Sequence, residues 1–390
     1  MTDTSQLDYG PVRADEIDEL NILLEQALTF TSGSMATWTA ALGLEHIRAV
    51  RRGGRPVAGM GVIPMGHYFG GRSVPTAGIT AVGVAPDQRG SGAGLWMIGQ
   101  SLLEQQRQGV PLASLYPATT SFYRRSGFER AAARVLYELP LAAIGVRDYT
   151  LDAAPAGAGE HALIKQLYAR QAERSAAMID RPEFYWNGIL APKEKRAYSF
   201  LVRRDGVPEG YVVLFHTSWN EQLQVRDLVA LTPAAGRRLL TLLADHRSMI
   251  ETARLPGGPN DALLLLLPEQ KHKVGWQLDL MLRILDVPGA LEARGYPQGL
   301  AAELHLEVRD ELIASNNGRF VLAVEGGRGS VRPGGQGTLR LGVRGLAPLY
   351  SGHLAPRELL ASGLLDAPDA ELERAALVFA GPRPWLPDMF

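Results

Sequence analysis

The stretch that most constrains the fold of this chain covers residues 79–95 and reads ITAVGVAPDQRGSGAGL. It opens with a short apolar run at residues 81–84, which predicts a buried strand, and Pro86 and Asp87 end that strand. A glycine-rich turn follows, and the apolar spacing after it predicts a helix. A strand, a flexible turn and a helix N-terminus bring unpaired N–H groups and the helix dipole together. The stretch therefore predicts an anion site that suits a pyrophosphate.

The glycine spacing in this turn decides between several nucleotide-binding motifs. The chain contains no Gly-Lys pair, so the P-loop signature is absent. A dinucleotide fingerprint also fails, because Leu95 or Met97 stands where its third glycine or alanine is required. The pattern R-x-x-G-x-G fits from Arg89 onward, with V-x-P just before it. This pattern resembles the coenzyme A motif of the GNAT N-acetyltransferases, and an ordinary glycine-rich turn is the alternative.

A second segment further along the chain supports the same resemblance. Residues 111–115 predict the next strand, and residues 121–128 read SFYRRSGF. The pattern F-Y-x-x-x-G-F resembles the closing helix and turn of the GNAT core. In that family the tyrosine, here Tyr123, protonates the departing thiolate. A tyrosine that only packs in the core is the alternative for this residue.

Composition excludes several other classes of function. The 390 residues are 46% hydrophobic, which is ample for two or three folded domains. A net charge of −1 gives no electrostatic footprint for nucleic acid. The absence of cysteine excludes disulfides and a cysteine nucleophile. The eight histidines form no H-x-x-x-H pair, so we expect no metal site.

The sequence also predicts a cytoplasmic protein without a membrane span. The N-terminal residues are polar and lack the apolar segment of a signal peptide. The apolar run at residues 262–267 is far too short to cross a bilayer.

Three segments of different pattern predict an α/β (α+β) fold. Residues 8–150 alternate strands and helices, and the first helix is expected to bury Ile17, Leu20, Ile22, Leu23 and Leu24. A linker of small residues at 153–159 precedes a second unit with the same order of elements but no R-x-x-G-x-G. The last third has strands, glycine-rich turns and two helices. Its proline-rich tail, residues 382–390, predicts a stiff extended arm.

Over nearly its whole length the chain resembles the enhanced intracellular survival (Eis) family of GNAT acetyltransferases. The matching stretches are AGITAVGVAPDQRGSG, FYRRSGF, the LDVP junction at residues 285–288 and a C-terminal Phe390. The resemblance implies a catalytic GNAT domain (1–150), a second GNAT-like domain without a cofactor site (151–288) and a domain similar to sterol carrier proteins (289–390). It also implies a homohexamer, acetyl-CoA as donor, and amine acceptors such as aminoglycosides, polyamines or lysine side chains.

The resemblance assigns roles to particular residues. It makes Tyr123 the general acid and the terminal carboxylate of Phe390 the base, for which a frayed terminus is the alternative. Phe30 and Trp38 fall in the acceptor pocket, where core packing is equally open. The acetyl-CoA contacts fall on Val82, Gly83, Val84, Arg89, Gly90, Ser91, Gly92, Ala93, Gly94, Leu95, Ala118 and Thr119.

Two departures from the family pattern bear on the coenzyme. The usual three arginines are replaced by Arg89-Gly90-Ser91, which predicts a weaker cradle. Ala118 stands where the family commonly has serine, which removes one polar contact.

A binding protein is the rival interpretation. The C-terminal domain would then carry a lipid, and the GNAT fold would serve as an acyl-CoA sensor or scaffold. Amine-dependent release of thiol from acetyl-CoA would distinguish an enzyme from such a protein. An acetyltransferase that modifies protein lysines differs only in its acceptor and stays open.

Overall fold

The computed structural model describes residues 6–192, 195–216 and 222–390. Its first part is a run of antiparallel strands followed by a parallel crossover. The turns of the first hairpins lie at Gly53-Gly54 and Gly70-Gly71, where positive φ angles favour glycine. The elements are β1 (Leu7–Pro11), α1 (Ile17–Leu28), α2 (Ser34–Leu42), β2 (Ile47–Arg52), β3 (Arg55–Phe69), β4 (Arg72–Val84), α3 (Ala93–Arg107), β5 (Leu112–Leu115), α4 (Thr120–Arg124) and β6 (Glu129–Pro140).

The middle of the chain has a similar order of strands and helices, with an extra short strand between its first two helices and no α-helix between its last two strands. Asp205-Gly206 turns its hairpin as predicted, and Thr232 caps the helix Pro233–Ala244 by accepting a hydrogen bond from the Ala235 N–H. The elements are β7 (Asp152–Pro155), α5 (His161–Glu173), β8 (Ile179–Asp180), α6 (Glu183–Leu190), β9 (Ala197–Arg204), β10 (Val207–His216), β11 (Leu223–Ala230), α7 (Pro233–Ala244), β12 (Thr252–Gly257) and β13 (Lys273–Ile284).

These two parts share one continuous sheet. Its order is β1-β2-β3-β4-β5-β13-β6-β12-β11-β10-β9-β7, with β8 pairing β3. Strand β13 lies between β5 and β6, where Met281 pairs with Leu115 on one side and Leu280 pairs with Ala132 on the other. Strand β6 in turn pairs with β12. The N-terminal sheet is therefore completed by a strand that comes from residues 273–284.

The last third forms a separate five-stranded sheet covered by helices. The strand order is β16-β15-β14-β17-β18. The ring of Tyr350 meets Phe69 edge-on at 5.1 Å, so this sheet's helical layer packs on the N-terminal part. The elements are α8 (Val287–Ala293), β14 (Ala302–Arg309), β15 (Gly318–Glu325), β16 (Arg328–Pro333), β17 (Leu339–Gly342), α9 (Val343–Ser351), α10 (Pro356–Ala361), β18 (Leu365–Asp366) and α11 (Asp369–Val378).

One predicted core residue is wrong. Ile22 is 67% exposed, whereas Leu20, Leu23 and Leu24 are buried. Residues advance by about 100° along a helix, so Ile22 points away from the face shared by Leu20 and Leu24.

The proline-rich tail runs extended, with residues 384–388 largely buried and residues 382, 383 and 389 exposed. Trp385 forms an isolated parallel bridge with Ala133, and Leu386 and Asp388 are fully buried. Among the described residues, no helix is long and apolar enough to cross a membrane.

Candidate active site

Strand β4 is distorted where it approaches the glycine-rich turn. The register between β3 and β4 shifts so that Ala81 and Val82 oppose the single residue Met60, and Ala81 has a positive φ of 50°. This is a β-bulge, which bends a strand and re-aims its backbone. The parallel pairing of β4 with β5 ends at Gly78, opposite Ser114. Beyond that point the two strands separate and a cleft opens between them.

This cleft, the donor cleft, has a volume of about 900 Å³. Gly92 is the N-cap of α3, and both Gly90 and Gly92 adopt left-handed backbone (φ 78° and 85°). The donor cleft is lined by eleven of the twelve predicted coenzyme contacts, namely Val82, Gly83, Val84, Arg89, Gly90, Gly92, Ala93, Gly94, Leu95, Ala118 and Thr119.

Two details of the donor cleft differ from the predicted list. Ser91 is outside its lining, and its hydroxyl accepts a 3.4 Å hydrogen bond from the Ala93 N–H. Arg125 and Leu312 line the cleft although no role was predicted for them. Arg125 follows Tyr123 in the FYRRSGF stretch, so its charge was visible, but Leu312 comes from the C-terminal part and had no local signal.

A second cavity, the acceptor cavity, has a volume of about 650 Å³. Phe30, 54% exposed, and the half-buried Trp38 both line it. Their role in holding an acceptor stays a prediction. Much of its wall comes from beyond the first 150 residues and was not predicted. These residues are Phe184, Tyr185, Gly188, Arg226, Met389 and Phe390, of which only Phe390 carried a predicted role. The run Phe-Tyr-Trp at 184–186 was the available signal for this contribution.

Tyr123 lies where the two spaces meet. It lines both the donor cleft and the acceptor cavity, together with Leu28, Val82 and Ala118. Its side chain is 7% exposed, and its ring meets Phe122 edge-on at 5.0 Å. Burial raises the pKa of Tyr123 to about 12. The hydroxyl is therefore protonated at neutral pH and available as a proton donor.

Phe390 ends the extended tail at the wall of the acceptor cavity. Its ring centroid is 5.5 Å from that of Tyr116 and 6.4 Å from that of His67. Since Leu386 and Asp388 are fully buried just upstream, the end of the chain is packed rather than frayed. A carboxylate on Phe390 would thus belong to the same cavity as Tyr123.

The part of the chain that the structure describes shows no candidate metal site. There, no group of three or more His, Asp or Glu side chains is arranged to hold an ion. The expectation of a metal-free site stays a prediction.

Matches to known families agree with this architecture. Residues 8–131 and residues 177–284 each match an acetyltransferase (GNAT) domain. Residues 287–387 match a sterol carrier protein domain. The predicted fold class, with two GNAT domains and a C-terminal sterol-carrier-like domain, is confirmed.

Similar proteins cover almost the full chain. An uncharacterized N-acetyltransferase from Streptomyces griseus is 32% identical over 353 residues, covering 82% of this chain and 83% of that protein. The N-acetyltransferase Eis from Mycobacterium tuberculosis is 28% identical over 390 residues, covering 92% of this chain and 93% of Eis. A crystal structure of a GCN5-related N-acetyltransferase from Anabaena variabilis superposes with a TM-score of 0.95. Its identity is 37%, and the match covers 98% of this chain and 100% of that one.

These matches span both acetyltransferase domains and the sterol-carrier-like domain. The first acetyltransferase match, residues 8–131, includes the bulged strand and the glycine turn of the donor cleft. Together the matches support an acyltransferase. The chain therefore belongs to the Eis family of GNAT N-acetyltransferases.

Proposed function

We propose that this N-acetyltransferase transfers an acetyl group from acetyl-CoA to a primary amine, such as an aminoglycoside, a polyamine or a lysine side chain. The observation that carries the proposal is the meeting of the donor cleft and the acceptor cavity at Tyr123. A group-transfer enzyme needs two substrates to approach each other at one proton donor, and this junction suits that need.

The donor cleft fits a coenzyme A thioester. A Cβ at Gly90 would meet nothing within 4 Å, so the turn has open space beside its backbone. The first turn of α3 offers N–H groups to a pyrophosphate, and Gly92 has no side chain to occupy them. Arg89 and Arg125 add positive charge to the lining. When bound, acetyl-CoA would supply the thioester carbonyl and the thiolate leaving group.

Tyr123 and the bulged strand would act on the two ends of the thioester bond. Backbone N–H groups of residues 82–84 would stabilise negative charge on the carbonyl oxygen, a contact worth roughly 3–4 kcal/mol in comparable sites. Tyr123, whose hydroxyl is protonated at neutral pH, would donate its proton to the departing sulfur.

The base in this proposal is the α-carboxylate of Phe390. A protonated amine cannot attack a thioester, so its proton must first move to a nearby acceptor. A carboxylate at the wall of the acceptor cavity would attract a cationic amine and then take its proton, directly or through water. Phe30 and Trp38, which line the same cavity, would bind the apolar part of the acceptor.

The remaining expectations belong to the same proposal. We propose units at residues 1–150, 151–288 and 289–390, a homohexameric assembly and a cytoplasmic location. The exchange of β13 and β6 between the first two units supports treating them as one folded body rather than as independent modules.

The proposal is tested by thiol release. Purified protein with acetyl-CoA and a panel of aminoglycosides, polyamines and lysine peptides should release coenzyme A only when an amine is present. Mass spectrometry of the products then identifies the acceptor by its added acetyl groups. Binding of acetyl-CoA without amine-dependent release would favour the sensor or scaffold instead.

A further inference from the structure

The carbonyls of the last three peptide bonds, those of Pro387, Asp388 and Met389, each accept a hydrogen bond from a side chain. The donors come from β6, from the segment after β5 and from α6, so three separate elements contribute. The bonds are Arg134 Nε to the Pro387 carbonyl at 2.9 Å, Tyr116 Oη to the Asp388 carbonyl at 2.7 Å and Tyr185 Oη to the Met389 carbonyl at 2.7 Å. These three bonds fix the backbone of residues 387–389, whereas chain ends usually fray.

The side chain of Asp388 is anchored as well. It is fully buried, and its Oδ2 accepts a 2.9 Å hydrogen bond from Nε of Arg181, which is also buried. The Tyr168 hydroxyl lies 3.4 Å from the same oxygen and donates its proton to the Ile179 carbonyl at 2.8 Å. The guanidinium of Arg226 lies 3.8 Å from Oδ1, on the side of the acceptor cavity.

Arg181 is itself fixed on several sides. Its Nη1 and Nη2 donate to the two carboxylate oxygens of Asp227, at 2.6 and 3.1 Å. Its guanidinium carbon lies 3.7 Å from the ring centroid of Tyr168 and 4.7 Å from that of Trp186. Only a planar, forked cation can bridge two carboxylates while stacked on aromatic rings. The guanidinium is therefore a rigid point to which the tail is tied.

We propose that Arg181, acting through Asp388, is a positioning residue that fixes the terminal carboxylate of Phe390 at the acceptor cavity. Two residues separate Asp388 from the chain end, so an anchored Asp388 leaves the carboxylate little freedom. This inference rests on the proposed role of Phe390 as the base. It gives the second acetyltransferase domain a task in catalysis, since that domain supplies Arg181, Asp227 and Tyr185.

Two acceptors of different basicity can distinguish a variant whose base is misplaced from a variant whose structure is generally impaired. An alkylamine is protonated at neutral pH and must give a proton to a base before it can attack. An alkoxyamine is already neutral there, so only the proton released after attack has to leave, and it leaves a far more acidic nitrogen. A misplaced carboxylate should therefore slow the first acceptor and spare the second. A merely structural defect would slow both alike.

The principal variant is Asp388→Asn, which keeps the shape of the side chain and leaves Arg181 paired with Asp227. We expect kcat with the alkylamine to fall by about ten- to a hundredfold, since small displacements of reacting groups cost that much. The rate with the alkoxyamine, corrected for its nonenzymatic reaction, should stay close to that of the unchanged protein, as should KM for acetyl-CoA. Arg181→Lys should behave similarly, because an ammonium cannot bridge both carboxylates.

Arg134→Met is the milder second variant. It removes the hydrogen bond to Pro387 and the contact of the guanidinium with the Trp276 ring, whose centroid is 5.7 Å away. It leaves Arg181, Asp227 and Asp388 in place, so it tests whether a loosened tail loses the base if Asp388→Asn does not fold. The control is Arg51→Met, which breaks another buried arginine–carboxylate pair, with Glu16 (Nε to Oε2, 2.9 Å), far from the tail. This control should lower stability without changing the ratio of the two acceptor rates.

The outcomes separate the two proposals when Phe390 is also deleted. Selective loss of alkylamine transfer in the folded Asp388 or Arg134 variants supports the positioning role. If these variants lose both transfer rates equally, or lose neither, while deletion of Phe390 still slows only the alkylamine reaction, the positioning role is overturned and the assignment of Phe390 as the base stands. If deletion of Phe390 slows both acceptors equally or neither, the base assignment and the positioning role are both overturned.

Discussion

Burial determines what Tyr123 can do. A phenol in water and a phenol at the junction of two apolar spaces have the same structure but different acidity, because desolvation disfavours the phenolate. An ordinary tyrosine is already protonated at neutral pH. Burial raises the pKa of Tyr123 to about 12, which keeps the hydroxyl protonated over a still wider range of pH.

Replacing Tyr123 by phenylalanine keeps the ring and removes the donor. We expect kcat to fall by about 10²–10⁴, with KM for acetyl-CoA little changed. Steady-state kinetics with one amine acceptor measure both constants. Tyr296→Phe is a matched control, because Tyr296 is also buried but donates to Leu291 in the C-terminal domain. A Tyr123 variant with near-native kcat would return this tyrosine to a packing role.

Gly92 is the residue at which the backbone of the turn meets the helix. Gly92→Val would introduce a side chain among the N–H donors at a φ of 85°. KM for acetyl-CoA should rise about tenfold or more, as loss of one hydrogen bond to a charged group costs roughly 1.5–3 kcal/mol. Gly206→Val imposes the same backbone strain at φ 83° in a remote hairpin and should leave this KM unchanged. Unaltered acetyl-CoA affinity in a folded Gly92 variant would mean that the pyrophosphate binds elsewhere.

At the scale of elements, the sequence predicted those features that depend on neighbouring residues, such as the hairpin turns. The hairpin turns at Gly53-Gly54, Gly70-Gly71 and Asp205-Gly206 all have positive φ, a requirement readable from the residues themselves. The strand-turn-helix of the donor cleft was predictable for the same reason. The place of β13 was not, because its pairing with β5 and β6 joins distant parts of the chain that no short pattern links. Neither β16 nor α9 was predicted.

The acceptor cavity shows the same division. Phe30 and Trp38 could be named from resemblance, since they lie in the N-terminal domain. Tyr185 and Arg226 enter the cavity only through the packing of α6 and β11 beside it, so their roles required the three-dimensional structure.

The proposed chemistry of the tail belongs to the α-carboxylate of Phe390. Adding a few glycines after Phe390, or deleting Phe390, should abolish most acetyl transfer while acetyl-CoA still binds. Phe390→Leu keeps both an apolar side chain and the terminal carboxylate and should retain much of the rate. Acetyl transfer and equilibrium binding of acetyl-CoA are measured side by side. Full activity in a protein extended at its C-terminus would direct the search for the base elsewhere.

At the scale of the whole molecule, His67 links several parts of the fold. It is fully buried, with Nδ1 2.7 Å from the Ala177 carbonyl and Nε2 2.9 Å from the Ser114 hydroxyl. Burial lowers the pKa of His67 from 6.5 to about 4, so the folded protein holds this ring neutral at the pH where the unfolded chain begins to take a proton.

Stability should therefore fall as pH falls from 6.5 towards 4. Well above pH 6.5 the ring of His67 is neutral in both the folded and the unfolded state, so it adds no pH dependence. Below that, the unfolded state binds the proton first, and the total loss is about 3 kcal/mol for a shift of this size. Chemical denaturation at pH 7 and pH 5 measures the difference. In His67→Gln the dependence should be reduced, and an identical slope in both proteins would contradict the assignment.

The position of β13 also governs how the molecule can be made. On the ribosome, β5 and β6 emerge long before residues 273–284, so the nascent N-terminal sheet has a gap where its middle strand belongs. Unpaired strand edges invite association with other chains. Proteins usually fold their first domain while the rest is being synthesised. This chain cannot finish its donor domain in that way, and its early intermediates should depend on chaperones until the missing strand arrives.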